Sequence, residues 1–161
     1  METYRKDCFD KIIGNIEFVQ DNESESKRDV LRGLHLQYGS KSQAKLVRVT
    51  EGAVFDVAVD MRVESPTFGK WFGTILSHEN KLTLFVPRGF AHGFLVLSET
   101  ARFVYKVDNY YAPEAEMTIA WDDEDIAIEW PQPSTQYILS ERDRVNAIRI
   151  KEFIKTIRSD C

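Results

Sequence analysis

The sequence is short of the residues that most readily mark a reactive site. It has three histidines and only two cysteines, Cys8 and Cys161, at opposite ends of its 161 residues. Two cysteines so far apart do not make a disulfide framework, and a reducing cytoplasm is the expected setting. No apolar run approaches the roughly 18 residues that a membrane-spanning helix needs, so no membrane association is expected. Positive charge is also in deficit: 21 Lys and Arg against 26 Asp and Glu leave a net charge of -5. That balance argues against nucleic acid held by phosphate neutralisation, although one local basic pocket can still hold a phosphate. Met1 runs directly into Glu2, Arg5, Lys6 and Asp7, which is not a signal-peptide pattern. There is no internal repeat, low-complexity stretch or linker. With 43% hydrophobic and 29% charged residues, a single globular domain over residues 1–161 is expected.

What is present is mainly strand signal. Residues 4–13 read as a short helix, with Phe9, Ile12 and Ile13 at helical spacing and Gly14 as the stop. Residues 16–19, short and apolar, are a first strand candidate, and Asp21 to Asp29 reads as a polar loop. Val30 to Gln37 is a strand candidate. Ala44 to Met61 is the longest strand region, broken near Glu51-Gly52 where a hairpin turn is expected. In its second half Phe55, Val57 and Val59 share one face, and Asp56 and Asp60 the other. Further strands are expected over 71–76, 82–86, 92–97 and 101–107, separated by turn-rich segments. Trp121 to Trp130 is an irregular connection or a short strand. Val145, Ile148, Phe153, Ile154 and Ile157 favour a C-terminal helix over 142–158. Many short strands at close spacing suggest a β-sandwich or barrel.

Few residues are candidates for chemistry. His35 lies in Arg32-Gly33-Leu34-His35, and a lone histidine is more often a hydrogen-bonded core residue than a reactive one. Gly33, however, permits a bulge that would bring Arg32 and His35 to one side despite their odd spacing. His78 sits in a polar turn and reads as solvated. Lys45 opens a strand whose inward face includes Val47 and Val49; it either snorkels to solvent or meets an anion in a pocket. Tyr105 alternates with Phe103 and Val107, so its ring points inward while Arg102 and Lys106 point out. It is either a core tyrosine with a satisfied hydroxyl or a phenol that donates a proton. His92 lies in Pro87-Arg88-Gly89-Phe90-Ala91-His92. This Pro-x-Gly-x-x-His spacing resembles the second motif of the cupins, double-sheet barrels whose metal-binding members use His-x-His plus a carboxylate in the first motif. Here His35 is followed by Gln37 where a second histidine would be needed, so no metal is expected.

Taken together the motifs are more specific. Arg32 to His35, Gln43 to Arg48, Gly52 to Asp60, Ser65-Pro66-Thr67-Phe68-Gly69, Pro87 to Phe94 and Tyr105-Lys106 occur in order. This pattern resembles the dTDP-4-dehydrorhamnose 3,5-epimerase family, from about Glu2 to Leu139-Ser140-Glu141-Arg142-Asp143. The resemblance implies a mainly β, cupin-type double-stranded jelly roll with a short N-terminal helix and a C-terminal helix. It further implies a homodimer and a dTDP-linked 4-keto-6-deoxy sugar substrate with no cofactor. It implies catalytic roles for His35 as base, Asp143 as its partner, Lys45 at the enolate oxygen and Tyr105 as proton donor. It puts Gln20, Asp21, Asn22, Arg32, Lys45, His92, Glu116 and Arg142 at sugar- or nucleotide-contacting positions, and Tyr111 against the thymine ring. Two departures are Ala44, where glycine usually precedes the lysine, and an amino terminus about 25 residues shorter than the family's by motif alignment. The shorter terminus removes strands that help bind the nucleotide, so an uncovered sheet edge and weakened substrate binding are expected. A mono-epimerase or ketoisomerase on a related sugar nucleotide, or a non-catalytic sugar-nucleotide-binding cupin, are the other readings.

Overall fold

Alternation along the strands divides the chain into three layers. In the computed structural model, which describes residues 1–159, α1 (Lys6–Ile13) precedes nine strands, and α2 (Glu141–Val145) and α3 (Ile150–Ser159) follow them. The strands are β1 (Gln20–Lys27), β2 (Leu31–Gln37), β3 (Lys45–Glu51), β4 (Ala53–Asp60), β5 (Trp71–Ser77), β6 (Thr83–Val86), β7 (Phe90–Val96), β8 (Thr100–Val107) and β9 (Glu116–Thr118). They form a four-stranded sheet ordered β1-β8-β3-β6 and a five-stranded sheet ordered β5-β4-β7-β2-β9. Pairing within both sheets is antiparallel, as the expected jelly roll requires. Cys161 lies outside the described residues, and Cys8 is a free thiol. Among the described residues no helix is long and apolar enough to cross a membrane.

Away from its β5 edge, the larger sheet is buried on both faces. Val54, Leu76, Phe94 and Val96 meet Val47, Val49, Ala101 and Phe103 of the other sheet between the two. Leu31, Leu34, Leu36, Val57, Val59 and Leu95 point the other way, onto Ile126, Trp130, Ile150, Phe153 and Ile157. Ile150, Phe153 and Ile157 recur at helical spacing, so α3 presents one apolar stripe to the sheet. Both faces of β4 are therefore interior: Phe55, Val57 and Val59 face the helical layer, while Asp56 and Asp60 face the space between the sheets and are 0% and 1% exposed.

Four expectations from the sequence are corrected. Residues 20–27, read as a loop from Asp21 onward, form β1 along the whole length of β8, from Gln20 opposite Val107 to Lys27 opposite Thr100. The segment has no apolar face because its two faces meet a polar cavity and a row of ion pairs. Residues 16–19 are irregular instead of a strand. The turn at Gly52 is not a hairpin: β3 pairs with β6 and β8, and β4 with β5 and β7. The chain crosses from one sheet to the other there, so close to the Ser98–Thr100 turn that a Cβ on Gly52 would lie 2.0 Å from the Thr100 carbonyl oxygen. The C-terminal helix is two helices. The break lets Ile148 pair with the strand edge, donating to Thr118 O and accepting from Ala120 N at 2.9 Å each. Asp123 Oδ2 then accepts from Ile150 N at the start of α3. Val145, counted in the apolar stripe, is 69% exposed. The N-terminal helix forms and stops at Gly14, but it buries no residue of its own.

The bulge allowed by Gly33 is present. Arg32 pairs with Phe94 and His35 with His92, so that two residues of β2, Gly33 and Leu34, lie opposite one of β7, Gly93. Gly33 has φ 120°, and a Cβ on it would lie 2.7 Å from Gly93 Cα and 2.8 Å from His92 O. Gly33→Ala should therefore cost more than about 1 kcal/mol of stability, since the φ disfavours a side chain before any clash is counted. Urea unfolding of the two proteins measures this, and a midpoint equal to that of the wild type would contradict it.

Candidate active site

The interior changes character along each strand. On β3 the inward residues run from Lys45 to Val47 and Val49; on β8 from Tyr105 to Phe103 and Ala101; on β7 from His92 to Phe94 and Val96. The apolar end closes the barrel. The polar end is left open as a cavity of about 380 Å³. Gln20, Asn22 and Ser24 of β1 line it, with Arg32, His35 and Gln37 of β2, Lys45, His92, Tyr105 and Glu116. Tyr111 stands at it from a loop and Arg142 from α2.

Asp143 reaches His35 across 108 residues of sequence, its Oδ1 2.5 Å from Nε2. The short helix α2 makes this possible: Ser140 Oγ caps it by accepting from Asp143 N at 3.1 Å. The carboxylate itself is 2% exposed. Burial pushes the Asp143 carboxyl up, but hydrogen bonds from His35, Ser140 and the Gly33 backbone together hold it below its ordinary value. It is thus a carboxylate at neutral pH, suited to orienting His35 and stabilising its protonated form. Beside it, Arg142 donates to Glu116 at 2.6 Å, and Tyr111 donates its hydroxyl to the same Glu116 oxygen at 2.7 Å. Arg142 also lies 3.1 Å from His35 Nε2.

Across the β2–β7 ladder from His35 stands His92, the two being register partners. Its Nε2 is 2.9 and 3.1 Å from the two oxygens of Asp56. The floor of the cavity thus carries two histidine–carboxylate pairs side by side. Opposite them, burial lowers the Lys45 ammonium from 10.5 to about 8. Glu116 and Asp56 raise it and Arg142 lowers it, each less than burial does. Burial likewise raises the Tyr105 hydroxyl, partly offset by Arg32 and reinforced by Glu116. A proton-bearing phenol and a half-buried cation thus face two imidazoles in one cavity. This equipment can take a proton from carbon, hold charge on an adjacent oxygen and return a proton.

Of the residues named from sequence, Gln20, Asn22, Arg32, His35, Lys45, His92, Tyr105, Tyr111, Glu116 and Arg142 line the cavity. Asp143 adjoins it through His35. Asp21 does not reach it. Odd positions of β1 point outward, where Asp21 pairs with Lys106 and Glu23 and Glu25 with Arg102. His78 is exposed in its turn. Gln37 accepts from Ala112 N and donates to Lys41 O, both at 2.7 Å, and so ties two loops at the cavity mouth. Among the described residues no group of three or more His, Cys, Asp or Glu is placed to hold a metal ion. Sequence reasoning missed Asp56 and Ser24. The signal for Ser24 was there: neutral Gln20, Asn22, Ser24 and Ser26 alternate with charged Asp21, Glu23, Glu25 and Lys27, a period of two without hydrophobicity.

Residues 1–151 match the family model described as dTDP-4-dehydrorhamnose 3,5-epimerase. A Salmonella typhimurium protein of that name is 59% identical over 131 residues, which are 81% of this chain and 72% of the relative. The crystal structure of dTDP-4-dehydrorhamnose 3,5-epimerase from Elizabethkingia anophelis superposes with a TM-score of 0.89 at 55% identity, covering 94% of this chain and 83% of that one. A Legionella pneumophila epimerase solved in complex with dTDP-4-keto-L-rhamnose has a TM-score of 0.87 at 49% identity, covering 91% and 78%.

The lowered Lys45 ammonium has a consequence for stability. Below pH 8 the folded chain keeps a proton that burial disfavours. Between about 8 and 10.5 the unfolded chain binds that proton more readily, so stability rises with pH in this window. Lys45→Met should therefore be more stable than the wild type at pH 7, by up to about 3 kcal/mol. The gap should close as pH rises through the window. Urea titrations at pH 7 and pH 10 test this, and a gap that stays constant or widens would contradict it.

Proposed function

The chain belongs to the dTDP-4-dehydrorhamnose 3,5-epimerase family, and we propose that it works as one cupin-type domain converting dTDP-4-dehydro-6-deoxy-D-glucose to dTDP-4-dehydro-L-rhamnose. The observation that carries this reading is His35 bonded to buried Asp143 in a cavity it shares with Lys45 and Tyr105. A C–H beside a ketone is a very weak acid in water. Its removal needs a base in place and a group that takes up the charge forming on the ketone oxygen.

In this mechanism Asp143 holds His35 by Nε2, and the second ring nitrogen takes the proton from the carbon next to C4. The electron pair of the broken C–H bond moves into an enolate, whose oxygen meets the Lys45 ammonium. Tyr105 then gives its proton to the opposite face of that carbon, which inverts the centre. His35 then releases its proton to solvent and the Tyr105 phenolate takes one back from it, and the same sequence of steps at the other neighbour of C4 completes the reaction. No external electron acceptor or metal is required, because the substrate's own carbonyl accepts the pair. Arg32 is a cation exposed at the cavity, and it meets the diphosphate; Gln20, Asn22, Glu116, Arg142 and His92 bind sugar or nucleotide. Tyr111, 52% exposed at the mouth, offers a ring face to the thymine. We further infer a cytoplasmic homodimer. Exposed Phe72 and Ile75 on β5 support a partner chain.

Incubation with dTDP-4-keto-6-deoxyglucose in heavy water tests the reading, with deuterium expected at both C3 and C5. Exchange at one carbon alone would make this a mono-epimerase, and none in a folded, ligand-binding protein would make it a binding module. His35→Ala should slow exchange by about 10²- to 10⁴-fold. Tyr105→Phe should still lose the substrate proton but fail to invert the centre; inversion at the normal rate would remove Tyr105 from its role.

A further inference from the structure

Asp56 and Asp60 lie on the same face of β4 and are equally buried, but they are used differently. Asp60 closes a loop. Arg62 donates to both its oxygens at 2.8 and 2.7 Å, and Ser65 and Thr67 donate to it at 2.6 and 2.7 Å. Among the described residues, the side-chain partner of Asp56 is His92 alone. Burying a carboxylate for one imidazole is a weak device for stability, since a packed apolar pair of similar size does as well or better. The pair sits at the cavity floor, with His92 lining the cavity and Asp56 fully enclosed behind it.

The geometry determines which atoms of His92 are left over. A carboxylate accepts and does not donate, so Nε2 carries the hydrogen. The ring is also stacked on Phe103, with centroids 5.9 Å apart and planes at 29°. Nδ1 has no hydrogen-bond partner among the described residues and is the polar ring atom left for a ligand.

We propose that Asp56 is a positioning residue for the reaction, fixing the ring and the tautomer of His92 so that Nδ1 is presented to the substrate sugar. The proposal rests on the epimerase reading above and goes beyond it by giving the cavity a second histidine–carboxylate pair with a distinct task. Asp56 has a second effect across the barrel. The charged groups facing Lys45 are Glu116 from β9, Asp56 from β4 and Arg142 from α2. Arg32, His35, His92 and Tyr105 share the same cavity. Asp56 is one of two carboxylates that favour the ammonium against burial, so its loss weakens the hold on that proton.

The first test is Asp56→Asn, which keeps the shape and an oxygen for the Nε2 hydrogen but removes the charge. Its kcat should fall by about tenfold to hundredfold, as for other outer partners of functional histidines. KM should change by less than about threefold. The fall in kcat with rising pH, which follows deprotonation of Lys45, should move to lower pH. An Asp56→Asn enzyme with wild-type kcat and an unshifted pH profile overturns the proposal. The second test needs neither the variant nor turnover: long-range ¹⁵N–¹H correlation on the wild-type protein, with the His92 signals assigned by their loss in His92→Gln. The Nε2–H form is expected, and an Nδ1–H form overturns the proposal. Because this measurement is independent of substrate, failure of the epimerase reading and failure of this inference are told apart.

Discussion

Gly33 and Gly93 lie backbone against backbone where β2 passes β7, too close for a methyl group between them. That contact permits the bulge in which two residues of β2 oppose one of β7. Without it, period-two alternation would put Arg32 and His35 on opposite faces, one of them in the apolar layer under α3. With it, both enter the cavity, while Leu31, Leu34 and Leu36 remain packed on Ile150 and Phe153. The cation and the histidine of the site are therefore obtained without disturbing the core, through the absence of two side chains.

The rest of the cavity depends on the same economy of faces. Each strand that enters it is polar at one end and apolar at the other on its inward side, so one pair of sheets both closes a core and opens a pocket. The cost falls on buried charge. Lys45 holds its proton against desolvation, and Asp56 and Asp143 are almost fully enclosed, each bonded to one histidine. Buried charges of this kind do little for folding unless fully paired, and pairing each carboxylate with an imidazole also fixes the orientation and tautomer of that imidazole.

The outward side of the smaller sheet shows why a strand can be silent in sequence. β1 turns its neutral polar residues to the cavity and its acids to Lys106 and Arg102. Its place is held by the ladder to β8 and by charge, with one residue, Ser26, buried. Hydrophobic periodicity cannot detect a strand that buries almost nothing apolar. The same limit explains the split C-terminal helix. The spacing of Ile148, Phe153 and Ile157 fits one long helix, yet Ile148 is spent on extending the sheet edge beside Ile119.

By itself the sequence determined the strand-rich class, the two faces of β4 and β8, the turn positions, and the motifs from Arg32 to Tyr105 that mark the family. These are local matters of period, turn chemistry and order along the chain. Only the tertiary structure decided which face of β4 is which, because both are buried and the polar one looks inward. It realised over 108 residues the contact of Asp143 with His35 that the resemblance implied, and it alone set Asp56 behind His92 and turned Asp21 away from the cavity. The reason is that a hydrogen bond between distant segments leaves no period in either of them: its partners are chosen by how two sheets and a late helix pack, and that packing is a property of the whole fold.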